Sequence, residues 1–353
     1  MKVLFFSAWY PTKRDAMAGL FVQKHAETVA QQGADVRVLY SEATGIRWLW
    51  EMARAWKRLH SEWGLPDVVQ MNVLDKNGVL ALYLRRRYRI PFVIIEHWTG
   101  YLPTHFSFRG GWHGRTMRYI ASKAACIMPV SRTLEKAMKQ CGICCQRWEI
   151  MQNVVDDFFY TPPAERILRN GNKVRLLHVS CFDEQAKNIQ GMLRAYRKAL
   201  ARNENMELVV VGTGIDFEQD KEYANSLQFP KDSICFTGEV PPIEVCKWMY
   251  ASDAFVLFSR YETFSVVLAE CQAVGLPIIT SCVAGIAENL PKECGIVVEV
   301  EDEQALTDAI LEMVSHLDNY SAERIRQYGG KYRYDTVGKE LMSVYHSVCK
   351  PRS

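Results

Sequence analysis

The sequence predicts an α/β protein built from two doubly wound, Rossmann-like domains, and three observations lead there. The chain has 353 residues, too many for one ordinary domain and about right for two of roughly 150–180. Short runs rich in Val, Ile, Leu and Phe recur in both halves, each followed by a stretch of helical spacing. Such near-continuous apolar runs need cover on both faces, as strands of a parallel sheet lying between helices have.

In chain order, the runs of the first half are VLFFSA (3–8), DVRVLY (35–40), DVVQMNV (67–73), FVIIEH (92–97), CIMPVS (126–131) and WEIMQN (148–153). Those of the second half are VRLLHVS (174–180), MELVVVG (206–212), SICFTG (233–238), AFVLFS (254–259), PIITS (277–281) and GIVVEV (295–300). Between them lies TPPAERILRNGNK, rich in the residues that break regular structure. We therefore expect an N-terminal domain over 1–160, a linker over 161–173 and a second domain over 174–330. A final helical segment, 331–353, spaces Val337, Leu341, Val344 and Tyr345 to pack back on the N-terminal domain. Two such sheets would face each other across a cleft.

With 48 % apolar and 24 % charged residues the composition is that of a globular chain, not a disordered one. No apolar run is long enough to span a bilayer, and the first residues, MKVLFFSAWYPTKRD, do not read as a signal peptide. Eleven cysteines is an odd number, and the cluster Cys141, Cys144, Cys145 has no fourth ligand for zinc. We expect reduced thiols, no metal and a cytoplasmic protein. The net charge of +3 hides an asymmetry: residues 1–160 carry +9 and the remainder −6. The densest basic run, Arg85, Arg86, Arg87, Tyr88 and Arg89, is either a solvated helix end or part of a surface facing something anionic. No helix-turn-helix, zinc-finger or RNP-like pattern is present, so nucleic acid is not expected as a partner. An anionic membrane surface or a phosphate-bearing substrate fits better.

Open parallel sheets bind ligands beyond the carboxyl ends of their strands, where loops enter helices. The most informative such segment is SRYETFSVVLAECQAVGLPIITSCVAGIAENL, residues 259–290. Glu262 falls in a turn before a helix that should begin near Phe264. Glu270 lies within that helix among Val266, Val267, Leu268, Ala269, Cys271 and Ala273. A carboxylate in so apolar a helix is costly without a partner. It is either an ordinary polar-face residue or, as we favour, a ligand-facing one whose two oxygens suit paired ribose hydroxyls. Phe264 and Ser265 would then offer backbone N–H groups to a phosphate at the positive end of the helix.

The stretch ETFSVVLAE resembles the E-x7-E motif of retaining glycosyltransferases of family 4, which have the two-domain GT-B fold. NVVD (153–156), LLHVSCFDEQAKNIQGMLRA (176–195), VVVGTG (209–214), CFTGEV (235–240), VAGIAENL (283–290) and GIVVEVEDEQALTDAI (295–310) follow the same family in order. PTKRDAMAGLFVQKHAE places Gly19 at the family's glycine loop. The resemblance covers the second half almost throughout and the first half in patches.

It implies transfer of a sugar from a UDP- or GDP-sugar to an acceptor hydroxyl, with retention and without metal or other cofactor, in cell-surface polysaccharide or glycolipid synthesis. By it Glu270 holds the nucleotide ribose, Glu262 contacts the donor sugar, and Lys187 neutralises the diphosphate with help from the backbone at Phe264 and Ser265. His97, ending FVIIEH, would stand near the anomeric carbon, and Gly238 and Val240 would line the base pocket. The acceptor would be a glycan or lipid-linked glycan met at the inner membrane face. Trp48, Trp50 and Trp56, beside Arg47, Arg54, Lys57 and Arg58, would either touch that membrane or form the core of a helix. One departure stands out. Many members have an arginine soon after the first C-domain strand, whereas here the segment is SCFDEQAK, with Cys181 and Phe182. Neutralisation would then fall on Lys187, with Lys13 or Arg14 as possible helpers; Thr263, where glycine is frequent, is a milder change.

Two other readings are weighed. A nicotinamide-dependent oxidoreductase would use Gly212-Thr213-Gly214, but the third glycine position of that fingerprint is Phe217. A GT-B protein that only binds nucleotide-sugar would not need Glu262, Glu270 and Lys187 together.

Overall fold

In the computed structural model the described residues are all except 13–16, 166, 169–170, 286 and 350–353, together with the side chain of Asn289. The chain divides into two compact units, Met1–Val154 with Tyr334–Ser353, and Val155–Arg333. The change of unit thus lies upstream of the 161–173 stretch. Residues 155–160 belong with the second unit, where Phe159 is buried and the Tyr160 hydroxyl donates to the carbonyl of Gly329 at 2.9 Å.

The first unit runs β1 (Lys2–Ser7), α1 (Leu20–Gln31), β2 (Asp35–Leu39), α2 (Gly45–Trp63), β3 (Val68–Asn72), α3 (Gly78–Tyr88), β4 (Phe92–Glu96), α4 (Gly111–Lys123), β5 (Cys126–Pro129) and α5 (Arg132–Gln140). Its sheet has the order β2-β1-β3-β4-β5, and every pairing is parallel. β3 and β4 are buried at every residue, as central strands covered on both faces must be. The edge strand β2 instead alternates and shows Asp35 and Arg37 to solvent, which discourages further pairing.

Here the sequence expectation needs a correction: WEIMQN (148–153) is not a sixth strand. It runs beside β5, with Ile127 N–H donating to Arg147 O and Glu149 N–H to Ile127 O, and forms one bridge, Ile127 to Trp148. The next rung needs an N–H from residue 129, and Pro129 has none, so only its other half forms, with Met151 N–H donating to Pro129 O at 3.1 Å.

The second unit runs β6 (Val174–Val179), α6 (Glu184–Lys187), α7 (Ile189–Leu200), β7 (Met206–Val211), α8 (Phe217–Ser226), β8 (Ile234–Gly238), α9 (Pro242–Tyr250), β9 (Ala254–Leu257), α10 (Val266–Val274), β10 (Ile278–Ser281), β11 (Gly295–Val298), α11 (Glu303–Ser315) and α12 (Ala322–Gly329). Six parallel strands lie in the order β11-β10-β9-β6-β7-β8. Strand order reverses between β6 and β9, and in the first sheet between β1 and β3. Loops part to opposite sides at such a point and leave room for a ligand.

The last helix, α13 (Tyr334–Val348), returns to the first unit and packs against α1. Val337, Leu341, Val344 and Tyr345 are all buried. Gly338 is what allows the approach: a Cβ there would come within 2.9 Å of Thr28. The Tyr345 hydroxyl donates to Gln70 on β3. On the far side of the sheet, α2 inserts Trp48, Met52 and Trp56, four residues apart, toward the core. Trp48 and Trp56 are therefore interior residues, and of the three tryptophans considered for membrane contact only Trp50 is exposed.

Candidate active site

In the second unit, the loops that leave β6 and β9 meet at the reversal of strand order. After β6, Asp183 caps the short α6 by accepting the Ala186 N–H at 3.2 Å, and Asn188 turns the chain through a left-handed residue (φ 50°) into α7. Arg260, just past β9, fastens this turn. Its backbone N–H donates to Ala186 O at 2.7 Å, its Nη2 to Asn188 Oδ1 at 2.7 Å and its Nη1 to Glu184 O.

The result is that Lys187 faces Glu262, with Nζ 2.6 Å from Oε1 and both side chains mostly buried. Ser259 donates its hydroxyl to the same oxygen at 3.0 Å, and Ser281 donates to the carbonyl of Ser259. Burial opposes the charge on Lys187, but the adjacent Glu262 carboxylate, with Cys181 and Asp183 nearby, outweighs it and raises the lysine above its ordinary value. A firmly protonated cation thus stands at the carboxyl end of the sheet.

Three residues on, the chain enters α10, which begins at Val266 rather than near Phe264. Ser265 caps it in a left-handed conformation (φ 67°) that a non-glycine residue adopts at a cost. Its hydroxyl is buried and has no hydrogen-bond partner among the described residues. Strain and an unsatisfied polar group at one residue mark a place shaped for something other than stability. Phe264 is buried beside it, its ring edge-on to Tyr332 at 5.8 Å, and Gly285 packs so closely that a Cβ would overlap the Phe264 backbone.

Glu270 follows one helical turn after the first residue of α10 and is half-buried among Leu268, Ala269 and Cys271. Its carboxylate is near enough, after burial, to help push the Cys246 thiol up to about 12. Lys187, Glu262, Phe264, Ser265 and Glu270 thus share one loop-and-helix region. Gly238 is the last residue of β8 and Val240 lies in the loop that leaves it, two strands from β6, both half-buried. Gly238 is left-handed (φ 73°), and a Cβ there would meet nothing within 4 Å.

Gly212 and Gly214 serve the protein itself. A Cβ on Gly212 would run into Ser180 O, and one on Gly214 into the Phe182 backbone, so their bareness lets the β7 loop lie on the β6 loop. That removes the main support for the dinucleotide reading.

In the first unit, His97 follows the last residue of β4 and is buried, with its Nε2 unpartnered among the described residues. Burial, and then the neighbouring His25, hold its pKa well below the ordinary value, so it is neutral. Its ring lies 3.9 Å from that of Phe21 on α1, whose N-terminus is capped by Gly19. Gly19 is left-handed (φ 65°) and so close to the Trp9–Tyr10 backbone that no Cβ fits. The glycine loop and the histidine are therefore neighbours.

Beneath them, Glu96 is fully buried and accepts three backbone N–H groups: those of His97 and Trp98 at 2.9 Å on one oxygen, and that of Leu74 at 3.0 Å on the other. A cavity of about 340 Å³ opens where β1, β2 and β3 end, lined by Ser7, Thr12, Tyr40, Ser41, Glu42 and Lys76, among others. Lys13 and Arg14 lie outside the described residues. Among those residues, no group of three His, Cys, Asp or Glu side chains is placed to hold a metal.

Sequence reasoning missed Arg260, Ser259 and Glu96. Each acts by joining loops from different strands, and Arg260, one residue before Tyr261-Glu262, was hidden only by the unknown adjacency of β6 and β9.

Comparison with known proteins agrees with this fold. Residues 18–157 match glycosyltransferase family 4, and residues 173–316 match glycosyl transferases group 1. A GDP-mannose-dependent alpha-mannosyltransferase of Mycobacterium tuberculosis is 30 % identical over 296 residues, 80 % of this chain and 73 % of that one. A D-inositol 3-phosphate glycosyltransferase of Corynebacterium urealyticum is 25 % identical over 206 residues, 54 % of this chain and 48 % of that one. The chain thus spans about half the length of the first curated relatives it matches. Among solved structures, Anabaena HepE in complex with UDP superimposes with a TM-score of 0.78 at 17 % identity, over 98 % of this chain and all of that one. The fold is that of the GT-B glycosyltransferases, and the chain belongs to glycosyltransferase family 4.

Proposed function

We propose that the protein transfers a sugar from a nucleoside diphosphate sugar to an acceptor hydroxyl, retaining the anomeric configuration and using no metal. The observation that carries this is the Lys187–Glu262 pair set at the head of α10, with Ser265 strained and unsatisfied beside it and Glu270 one turn on.

A departing diphosphate gathers negative charge in the transition state. Groups already aimed at that charge stabilise it without reorganising. Lys187 supplies the cation, and the N–H groups at the start of α10 supply the positive end of the helix dipole. Glu262, already held by Lys187 and Ser259, would turn its free oxygen to hydroxyls of the donor sugar, and Glu270 would take the ribose. Open space over Gly238 suits a flat base. His97, neutral and with a spare ring nitrogen, would hydrogen-bond the sugar near the reacting carbon rather than act as a cation. Without an arginine after β6, Lys187 bears most of the diphosphate charge in this assignment.

The polar cavity at the ends of β1–β3 suits a polyhydroxylated acceptor, and the basic first half suits one presented on an anionic membrane at the cytoplasmic face. The relatives that support this reading include a GDP-mannose-dependent enzyme and a structure with UDP bound, so both nucleotides are donor candidates for this chain.

The test is thermal unfolding in EDTA with UDP, GDP, ADP and NAD. A nucleotide at about a hundred times its dissociation constant adds roughly 2.7 kcal/mol to native stability. UDP or GDP should raise the melting temperature and Glu270→Ala should abolish the rise. A rise with NAD alone would overturn the assignment.

A further inference from the structure

The layer of helices α2, α3 and α4 carries a pattern that the transfer site does not use. The connections β2–α2–β3, β3–α3–β4 and β4–α4–β5 all step the same way along the sheet, so right-handed crossovers put the three helices on one face. They touch side by side: Trp56 and His60 of α2 meet Tyr88 of α3, with ring centroids at 6.4 and 5.6 Å. Gly78 of α3 lies hard against Ile120 of α4.

The outward side of this layer is apolar near the helix starts. On α2, opposite the buried Trp48 and Met52, Ile46 and Trp50 are 76 % and 74 % exposed, with Leu49 at their flank. On α3, Val79 and Tyr83 are exposed one turn apart, and Trp112 at the start of α4 is 83 % exposed. Farther along the same helices the outward residues are cations: Arg54 and Lys57 on α2, Arg86 and Arg87 on α3, and Arg115 on α4. Neither α3 nor α4 contains an aspartate or glutamate, and the single acid between Lys76 and Leu134 is Glu96, which is fully buried.

On α2 the acids Glu51 and Glu62 are each paired with a cation one turn away, Arg47 and Arg58, which leaves Arg54 and Lys57 in excess. Exposed large apolar side chains beside an excess of cations match two things at once, hydrocarbon and negative charge. A soluble polyanion, whether nucleic acid or acidic glycan, would gain nothing from Ile46, Trp50 or Trp112. The interface of an anionic bilayer uses both, with tryptophan at headgroup depth and arginine on the phosphates.

We propose that the α2–α3–α4 face is where this protein docks on an anionic phospholipid surface, with Ile46, Trp50 and Trp112 entering the interface and Arg54, Lys57, Arg86 and Arg87 meeting the headgroups. This deepens the membrane element of the proposed function and stands apart from the donor assignment. Among the described residues no helix is long and apolar enough to cross a bilayer.

Flotation of the full chain with vesicles tests it. One set is phosphatidylcholine alone; the other holds about 30 mol % phosphatidylglycerol, both at about 0.1 M salt, where surface charges are only partly screened. The protein should float with the anionic vesicles only, and should be released as salt rises. Arg86→Glu with Arg87→Glu should weaken vesicle binding by about thirtyfold or more, since each cation near such a surface contributes about a factor of five to ten. Ile46→Ser with Trp50→Ser should weaken it too, and because these side chains face solvent, both double variants should fold. The melting shift with UDP or GDP, read on the same variants, should stay as in the parent; its absence in the parent would count against the donor site alone. No binding to anionic vesicles, or equal binding by parent and variants, would overturn the docking face. So would a dimer in light scattering that Trp50→Ser dissolves, because the face would then be covered by a second copy.

Discussion

At the residue scale, the decisive contact is the ion pair between Lys187 and Glu262, at 2.6 Å and mostly out of water. Such a pair is a poor source of net stability, but removing one partner leaves the other charge stranded. Lys187→Ala should therefore lose donor binding and also destabilise the second unit, by about 2 kcal/mol given that the pair keeps some solvent contact. Adding Glu262→Gln removes the stranded charge and should restore most of that stability without restoring transfer. Denaturant titration of the single and double variants checks this. Equal stability of the two within about 0.5 kcal/mol would show that Lys187 does not neutralise Glu262 in the folded protein. Both residues were visible in the sequence as motif members. That they touch was not, because they are 75 residues apart and meet only through the order of the strands.

The element that concentrates the proposed donor site is α10 with the turn before it. The sequence marked this helix by an apolar run around Glu270 and placed its start about two residues early. The difference is physical: Ser265 is left-handed, which ends the loop and delays the first helical residue to Val266. Glycine would relieve both the backbone strain and the unsatisfied hydroxyl at this position. Ser265→Gly is expected to stabilise the second unit by about 1 kcal/mol, raising its melting point by a few degrees, while weakening nucleotide affinity. A stability gain with unchanged affinity, measured by calorimetric titration, would mean that the hydroxyl does not face the ligand. Strand WEIMQN is the complementary case. Its apolar pattern was legible, but the missing N–H of Pro129 decided that it could not extend the sheet.

At the scale of the whole molecule, pH dependence should divide by buried groups of opposite sense. In the first unit, burial raises Glu96 to about 7 and Asp75 to about 6, and lowers His25 to about 4. A carboxyl that keeps its proton only when folded stabilises the unit below its folded pKa, and that contribution is lost as pH rises through it. The neutral histidine does the reverse: the unfolded chain takes up a proton below about 6.5, so its contribution is lost as pH falls toward 4. Around neutral pH the loss from Glu96 is set against the gain from His25 and His97, both held below the ordinary histidine value, as the unfolded chain gives up its histidine protons. Glu96→Gln removes the falling contribution, so the stability of the parent relative to the variant should drop by up to about 3 kcal/mol from pH 4.5 to about 7.5. Melting curves of parent and variant across that range decide it. Parallel curves for the two would show that Glu96 is ionised throughout, held so by its three backbone N–H donors.

The sequence by itself determined the α/β class, the two sheets, the helix that closes the chain and the motif residues Glu262, Glu270 and Lys187. These depend on short-range patterns: apolar runs with period-free burial, helical spacing and an ordered set of motifs. Only the tertiary structure decided which strand exits lie together, and so which residues share a site. Arg260 becomes the staple of the Lys187 turn because β6 and β9 are neighbours, and Glu96 becomes the holder of His97 and Leu74 because β3 and β4 are. The three tryptophans of α2 look alike in the sequence; packing buries Trp48 and Trp56 and leaves Trp50 outside. Composition and spacing report what each segment can bury, whereas adjacency across a sheet is set by crossovers tens of residues long, which local pattern does not encode.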